Sequence, residues 1–272
     1  MKSFLRGLTP PIVLDAYRAL MSRSVRYEGP YASWQEAGRH AGGYDQAQIF
    51  EAVRSAALKV KKGEAAFERD SVAFAKMRLP FPLLAALLRA AARNGGALNV
   101  LDFGGSLGST YFRCRDFLAP VASLRWSVVE QPKLVECGRR EFAGESLQFH
   151  ASVAECLAQE KPNVALLSSS LPYVEDPYGV LGQISAGGVA DIIVDRTSYH
   201  DGAEDLIFVQ QVPPQVYEAS YPCRVFGSAK LAGALDANYR MVAALDSEEG
   251  SVKAGATLIR YGGWAWSRRQ SR

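Results

Sequence analysis

Cysteine is scarce in this chain: Cys114, Cys137, Cys156 and Cys223 are the four among 272 residues. None forms a Cys-x-x-Cys pair, which leaves zinc ribbons and thioredoxin-type redox sites unsupported. Three of the four fall in segments that read as helices, where a free thiol behaves as a small apolar residue. A reducing cytoplasm is the matching compartment. Histidine is scarcer, and His40, His150 and His200 show no metal-ligand spacing, so no metal is expected. An excess of one charge is also lacking, with 31 basic residues against 28 acidic ones and a net charge of +3. That balance does not mark a nucleic-acid binder, and Arg268, Arg269 and Arg272 read as a fraying basic tail. No apolar run approaches the roughly 18 residues needed to cross a bilayer. The N-terminus has no clean apolar stretch ahead of a small-residue cleavage site, so it is not read as a signal peptide. Repeats and low-complexity tracts are missing too. What remains is a chain 48% hydrophobic and 10% aromatic, enough for one large core and too apolar for a long disordered or collagen-like protein.

Along the chain, residues 1–30 read as a short amphipathic helix broken by Pro10 and Pro11, with Leu14, Tyr17, Leu20 and Met21 on one face. Packing on the main domain is one reading of that face; peripheral membrane contact through residues 1–26 is the other. Residues 31–45 read as a Gly-rich loop with one helical turn. Helices follow at 46–62, ended by Gly63, and after Pro82, ended by Gly95-Gly96. From residue 98 the texture changes. LNVLDF, RWSVVE, LQFH, VALLSSS and DIIVDR are short β-rich runs separated by helical patterns. Such alternation predicts a parallel sheet with helices on both faces. Residues 197–226 read as an insertion after the fifth strand. The runs YRMVAALD and ATLIRYGGWAW, joined by the polar SEEGSVKAG, predict a terminal hairpin with one antiparallel strand. The expected organisation is an N-terminal helical cover over residues 1–95 and an α/β core over 96–272.

The strongest local signal is Asp102-Phe103-Gly104-Gly105-Ser106-Leu107-Gly108, which closes a strand and opens a helix. Glycines there let backbone N–H groups approach a ligand, and the helix N-terminus offers partial positive charge. Glu130 closes the next strand, where a carboxylate can accept both ribose hydroxyls of an adenosine-type cofactor. The two signals together are moderately specific.

These segments resemble the first two motifs of the class I S-adenosylmethionine-dependent methyltransferases, whose sheet also ends in an antiparallel hairpin. The family's pattern is acid-x-Gly-x-Gly-x-Gly, and Ser106 stands where its middle glycine is expected. Leu171-Pro172-Tyr173 replaces the leucine-histidine-tyrosine common after the family's fourth strand, so a base is absent there. More narrowly, GPYASWQEA, GYD, GEAAFERDSVAF, LDFGGSLGSTYFR, WSVVEQP, VDRTSY and YEASYP, spread over residues 29–222, resemble a sequence-defined family of bacterial methyltransferases associated with surface-polysaccharide gene clusters. The resemblance implies a Rossmann-like fold, S-adenosylmethionine as cofactor and a glycan or lipid-linked sugar as acceptor.

Strand-end geometry then distributes the roles. Gly104 and Gly105 approach the methionine part of the donor, and Ser106 and Gly108 belong to the same cofactor-binding bend. Asp102 contacts its ammonium group or fixes the loop. Glu130 takes the ribose, Gln131 lies beside the adenine and Ser152 reaches the adenine edge, while Ser169, Ser170 and Leu171 flank the sulfonium. Ordinary turn capping is the bland reading of the serines. For methylation of a hydroxyl, Asp195 is the first candidate base and His200 the second. Arg196 pairs with Asp195 or binds an anionic acceptor. Arg69 in the FERD segment is either part of a lid or a reader of the donor carboxylate. Tyr31, Trp34 and Tyr44 form a lid or an acceptor platform unless they are packing residues, and Tyr217, Tyr221 and Phe226 are placed to shape an acceptor pocket. The competing functions are a nicotinamide-dependent oxidoreductase, expected to end on a parallel strand, and a non-catalytic partner protein with the same fold.

Overall fold

The computed structural model describes residues 25–44, 46–212 and 219–269. Residues 1–24 (most of the expected amphipathic helix, with its membrane contact), Pro213, Pro214 and Tyr217, the side chain of Tyr44 and Arg272 lie outside the described residues.

The first elements are β1 (Arg26–Tyr31), α1 (Trp34–His40), β2 (Gly43–Tyr44) and α2 (Gln46–Lys61). A small hairpin follows, β3 (Phe67–Arg69) and β4 (Val72–Phe74), and then α3 (Phe81–Arg93). The core alternates: β5 (Ala97–Phe103), α4 (Ser109–Leu118), β6 (Ser123–Val129), α5 (Pro132–Glu141), β7 (Leu147–His150), α6 (Val153–Glu160), β8 (Val164–Ser168), α7 (Pro177–Ala186) and β9 (Asp191–His200). The chain closes with β10 (Leu206–Gln211), β11 (Ala219–Gly227), α8 (Ser228–Gly233), β12 (Tyr239–Ala254) and β13 (Thr257–Arg268).

The five core strands run parallel in the order β7-β6-β5-β8-β9, and β13 lies antiparallel between β9 and β12. This is the expected Rossmann-like class I methyltransferase sheet with its antiparallel C-terminal hairpin. Strand runs such as VALL and IIV are buried on both faces, as a sheet covered on two sides demands. One face packs against α3, α4 and α5 around Leu84, Leu87, Trp126 and Phe149. The other packs against α6, α7 and α8 around Leu167, Leu181, Ile192 and Trp266.

Three features differ from the sequence reading. The polar SEEGSVKAG stretch is strand, not turn: β12 runs through it with an irregularity between Asp246 and Ser251, and the chain reverses beyond Ala254. Gly255 there has a φ of +57°, a conformation glycine adopts without cost. The insertion is built into the sheet, because β9 continues to His200 and β11 pairs parallel with its end. The N-terminal region also contributes strands: β1 pairs with β10 and β2 with β11. Together β1, β10 and β11 extend the sheet from the end of β9, with Phe208, Cys223 and Val225 packed on Ile259 of the hairpin.

Candidate donor and acceptor site

Strand order reverses between β5 and β8, and the crevice at such a switch point lies outside the carboxyl ends of the strands. The glycine bend sits there. Gly104 has a φ of +71°, and a Cβ on it would come within 2.6 Å of the Ser170 Cβ. A Cβ on Gly105 would come within 2.4 Å of the Asp102 carboxylate. Both positions therefore require glycine on steric grounds. Ser106 also takes a positive φ of +56°, and Gly108, at +90°, starts α4 without a side-chain cap. The chain thus makes the bend although Ser106 replaces the family's middle glycine.

Asp102 lies beneath the bend, 1% exposed. Its carboxylate accepts a hydrogen bond of 2.9 Å from the Trp126 indole. Burial pushes Asp102 up to about 7, against the Trp126 bond that lowers it, and the nearby Glu130 raises it further. Asp102 is held by Trp126 beneath the bend, where a Cβ on Gly105 would strike its carboxylate. Glu130 projects from the end of β6 back to the same bend. Its Oε1 accepts from the Ser106 N–H at 3.2 Å and its Oε2 from the Gln131 N–H at 2.8 Å. Burial raises its pKa, the two backbone bonds lowering it in part. Neither Asp102 nor Glu130 forms an ion pair among the described residues.

Ser170 faces Gly104 from the end of β8, buried, with its Oγ unpartnered among the described residues. A buried hydroxyl without a partner is costly unless something completes it. Ser169, at a φ of +55°, donates its backbone N–H to the Asp195 carbonyl, and Leu171 is fully buried in the turn that follows. Gly104 and Ser170, Gly105 and Asp102, and Ser106 and Glu130 are thereby brought together at the bend, with Gly108, Gln131, Ser169 and Leu171 beside them in sequence. Ser152 already has a structural task. Its side chain accepts from the Glu155 N–H and caps α6, the bland reading of that serine.

Asp195, 6% exposed, ends the part of β9 that pairs with β8, and its Oδ2 accepts from the Ser168 hydroxyl at 3.1 Å. Burial raises its pKa, opposed by the adjacent Arg196 charge. The other two expected catalytic side chains are committed elsewhere. The Arg196 guanidinium does not hydrogen-bond Asp195, whose carboxyl takes only the Arg196 backbone N–H from that residue. The guanidinium donates to Glu249 at 2.7 Å and to Asp70 at 2.8 Å, so it is spent on structure and not on an anionic acceptor. Burial alone would push Glu249 up, but Arg196 and Arg69 outweigh it and hold that carboxyl at about 2. His200 Nδ1 accepts from the Gly202 N–H at 3.1 Å, so its Nε2 donates to the Glu204 carbonyl at 2.8 Å. Both ring nitrogens are used in closing the turn after β9, and His200 has no lone pair free to act as a base.

The FERD segment is β3 and the turn that follows it, tied to α4, β9 and β12 by its charged side chains. Glu68 takes the Ser109 hydroxyl at the start of α4, Asp70 holds Arg196, and Arg69 reaches Glu249 at 3.5 Å. This favours the lid reading of Arg69 over a role at the donor carboxylate. Tyr31 and Trp34 pack on Ile207 and Val209, and Phe226 is core. Tyr173 is 38% exposed; its hydroxyl donates to Gln210 at 3.1 Å and its ring meets Tyr221 edge-on at 5.3 Å. These three form one cluster between the turn after β8 and strands β10 and β11. A cleft of about 460 Å³ lies elsewhere, between Tyr178, Ser185, Lys230 and Asn238, and contains none of the expected site residues.

Sequence reasoning missed Trp126, Glu68, Glu249 and Gln210 as contributors. A signal existed only for Glu68, in a segment noted for its charges.

No family model matches this chain, and no curated protein does. Among solved structures, the N-terminal domain of EvdMO1, crystallised in the presence of S-adenosylhomocysteine and D-fucose, is similar at 14% identity. The alignment covers 84% of this chain and 98% of that one with a TM-score of 0.48. The Burkholderia thailandensis 1,6-didemethyltoxoflavin-N1-methyltransferase is similar at 16% identity, over 89% of this chain and 93% of that one, with a TM-score of 0.44. An S-adenosylmethionine-dependent methyltransferase from Clostridium acetobutylicum is similar at 10% identity, over 80% of this chain and 98% of that one, with a TM-score of 0.45. Similarities this shallow carry no functional weight; the fold assignment rests on the strand order.

Proposed function

We propose that this chain is an S-adenosylmethionine-dependent methyltransferase that methylates a hydroxyl of a sugar, glycan or other small polar acceptor. The observation that carries this reading is the sheet and what it sets at its carboxyl ends: five parallel strands closed by the antiparallel β13, with the glycine bend after β5 and Glu130 after β6 turned back onto it. The buried Ser170 hydroxyl facing the bend has no partner among the described residues, which suits a polar ligand there. The antiparallel hairpin at the sheet's end argues against the oxidoreductase.

In this reading the bound donor supplies an electrophilic methyl group. Gly104 and Gly105 admit its methionyl part, Ser170 and Leu171 flank the sulfonium, Glu130 holds the ribose, and Gln131 lies beside the adenine. Asp195 is the base, held in place by Ser168, and takes the acceptor hydroxyl proton. Tyr173, Tyr221 and Gln210 offer the aromatic-plus-amide wall that suits a polar ring. Residues 1–95 act as the cover, and surface-polysaccharide assembly in the cytoplasm, with a lipid-linked acceptor, is the setting the sequence resemblance favours. Among the described residues no helix is long and apolar enough to cross a membrane.

Calorimetry with S-adenosylhomocysteine and with NADH tests the reading. Micromolar binding of the first and none of the second is expected. Binding of NADH alone selects the oxidoreductase, and silence with both at millimolar concentration selects the non-catalytic partner.

A further inference from the structure

The donor reading leaves the ammonium of the methionyl end without a carboxylate. Asp102 cannot serve, because Gly105 roofs it and Trp126 holds it. The next acid is Glu68 of the β3–β4 hairpin, which takes the Ser109 hydroxyl where the bend opens into α4. Phe67 and Glu68 point to opposite faces of β3, and both are buried, at 1% and 5% exposure. Glu68 is therefore turned away from the Phe67–Phe74 stack and toward Ser109, the residue after Gly108.

We propose that Glu68 binds the ammonium group of the donor's methionyl end, reaching it from the β3–β4 hairpin across the glycine bend. This rests on the donor reading above. The charged groups around Glu68 leave it without a cation of its own. Asp70 on the same hairpin repels it. Arg196 of β9 attracts it, but that guanidinium is engaged by Asp70 and Glu249. Arg113 of α4 lies over the Phe67 ring at 4.5 Å and donates to the Arg78 carbonyl. Burial pushes Glu68 up to about 7, the Ser109 bond lowering it and Asp70 raising it. A ligand ammonium supplies the missing partner. The unpartnered Ser170 hydroxyl on the same bend independently marks the place of a polar ligand.

A carboxyl at the first turn of α4 also stabilises that helix, whose Gly108 offers no side-chain cap. Capping alone, however, gives no preference among ligands. The test uses Glu68→Gln in the full chain, which keeps an oxygen for Ser109 and removes the charge. S-adenosylhomocysteine and 5′-methylthioadenosine, which lacks the amino-acid end, are titrated calorimetrically into both proteins. S-adenosylhomocysteine is expected to bind the variant at least tenfold more weakly, with methylthioadenosine unchanged within twofold. Equal effects on both ligands, or none on either, overturn the role of Glu68 and leave the donor reading in place. If neither ligand binds the wild-type chain, the donor reading falls and this inference with it. Should Glu68→Gln not fold, proton release by the wild type, measured in buffers of different ionisation enthalpy, replaces it. Release is expected with S-adenosylhomocysteine and not with methylthioadenosine; equal release with both overturns the proposal.

Discussion

Replacing Glu130 by alanine is the sharpest perturbation of the donor site, because two distances define what that side chain does. Without donor it accepts from the Ser106 N–H at 3.2 Å and the Gln131 N–H at 2.8 Å. With donor it is expected to accept from two ribose hydroxyls. Hydrogen bonds to an ionised group are worth about 1.5–3 kcal/mol each, so the ribose pair contributes about 3–6 kcal/mol before exchange. Giving up part of the two backbone bonds costs about 1–2 kcal/mol, which leaves about 2–4 kcal/mol. The dissociation constant for S-adenosylhomocysteine should rise roughly 30- to 1000-fold. The fold should survive, since the bonds lost in the free protein sit at a partly exposed loop. A fall in melting temperature of roughly 2–4 °C is expected for about 1 kcal/mol in a chain of this size. Calorimetry with S-adenosylhomocysteine and with adenosine provides the check, because both carry the ribose and both should weaken alike. An alanine variant that binds S-adenosylhomocysteine within twofold of wild type refutes the ribose role and the reasoning built on it.

Asp195→Asn should lower turnover by about 10²-fold or more while donor affinity stays unchanged. In the wild type the rate should fall as pH drops through the raised Asp195 pKa, since the base must be ionised to take a proton; a pH–rate profile without that limb removes Asp195 as the base. Arg196→Gln leaves Glu249 and Asp70 without their main cation and should cost about 3 kcal/mol of stability, read by chemical denaturation. The sign with pH follows from the depressed Glu249. Its contribution is present at neutral pH and lost as pH falls from its ordinary carboxylate value toward about 2. The variant should therefore lose less stability than wild type across that window, and parallel curves would contradict the latch. Gly104→Val should destabilise the whole chain as well as block the donor, because it combines a positive φ with a 2.6 Å approach to Ser170; a wild-type melting temperature counts against that geometry.

The core was legible in the sequence for a physical reason. Strands buried on both faces must be continuous apolar runs, and VALL and IIV are such runs, so β8 and β9 were found without any long-range information. The glycine bend and Glu130 were legible because both lie at strand ends, where periodicity stops and special backbone residues begin. The long hairpin misled at SEEGSVKAG because an exposed, irregular strand keeps polar residues that read as a turn. His200 looked like a base because sequence shows a residue's chemistry and not its partners. Only the fold brings the Gly202 N–H and the Glu204 carbonyl onto its two nitrogens.

Arg196 shows where local reading ends. Its neighbour in sequence is Asp195, and that adjacency suggested a pair. In a strand, successive side chains point to opposite faces, so neighbours in sequence are poorly placed to meet. The φ of +51° at Arg196 turns the chain there, and its guanidinium finds Asp70 and Glu249 instead, more than fifty residues away in either direction. The consequence is chemical. An Asp195 hydrogen-bonded to the Arg196 guanidinium would be held ionised and weakly basic. With its guanidinium drawn off to Asp70 and Glu249, Arg196 gives Asp195 only a backbone N–H beside the Ser168 hydroxyl, and burial leaves Asp195 a stronger base. The ion pairs that tie Arg196 to Asp70 and Glu249 therefore also set the basicity of Asp195. It follows that Arg196→Gln, although it touches neither donor nor acceptor, should move the Asp195 limb of the pH–rate profile to higher pH, since the nearby positive charge that lowers that carboxyl is gone.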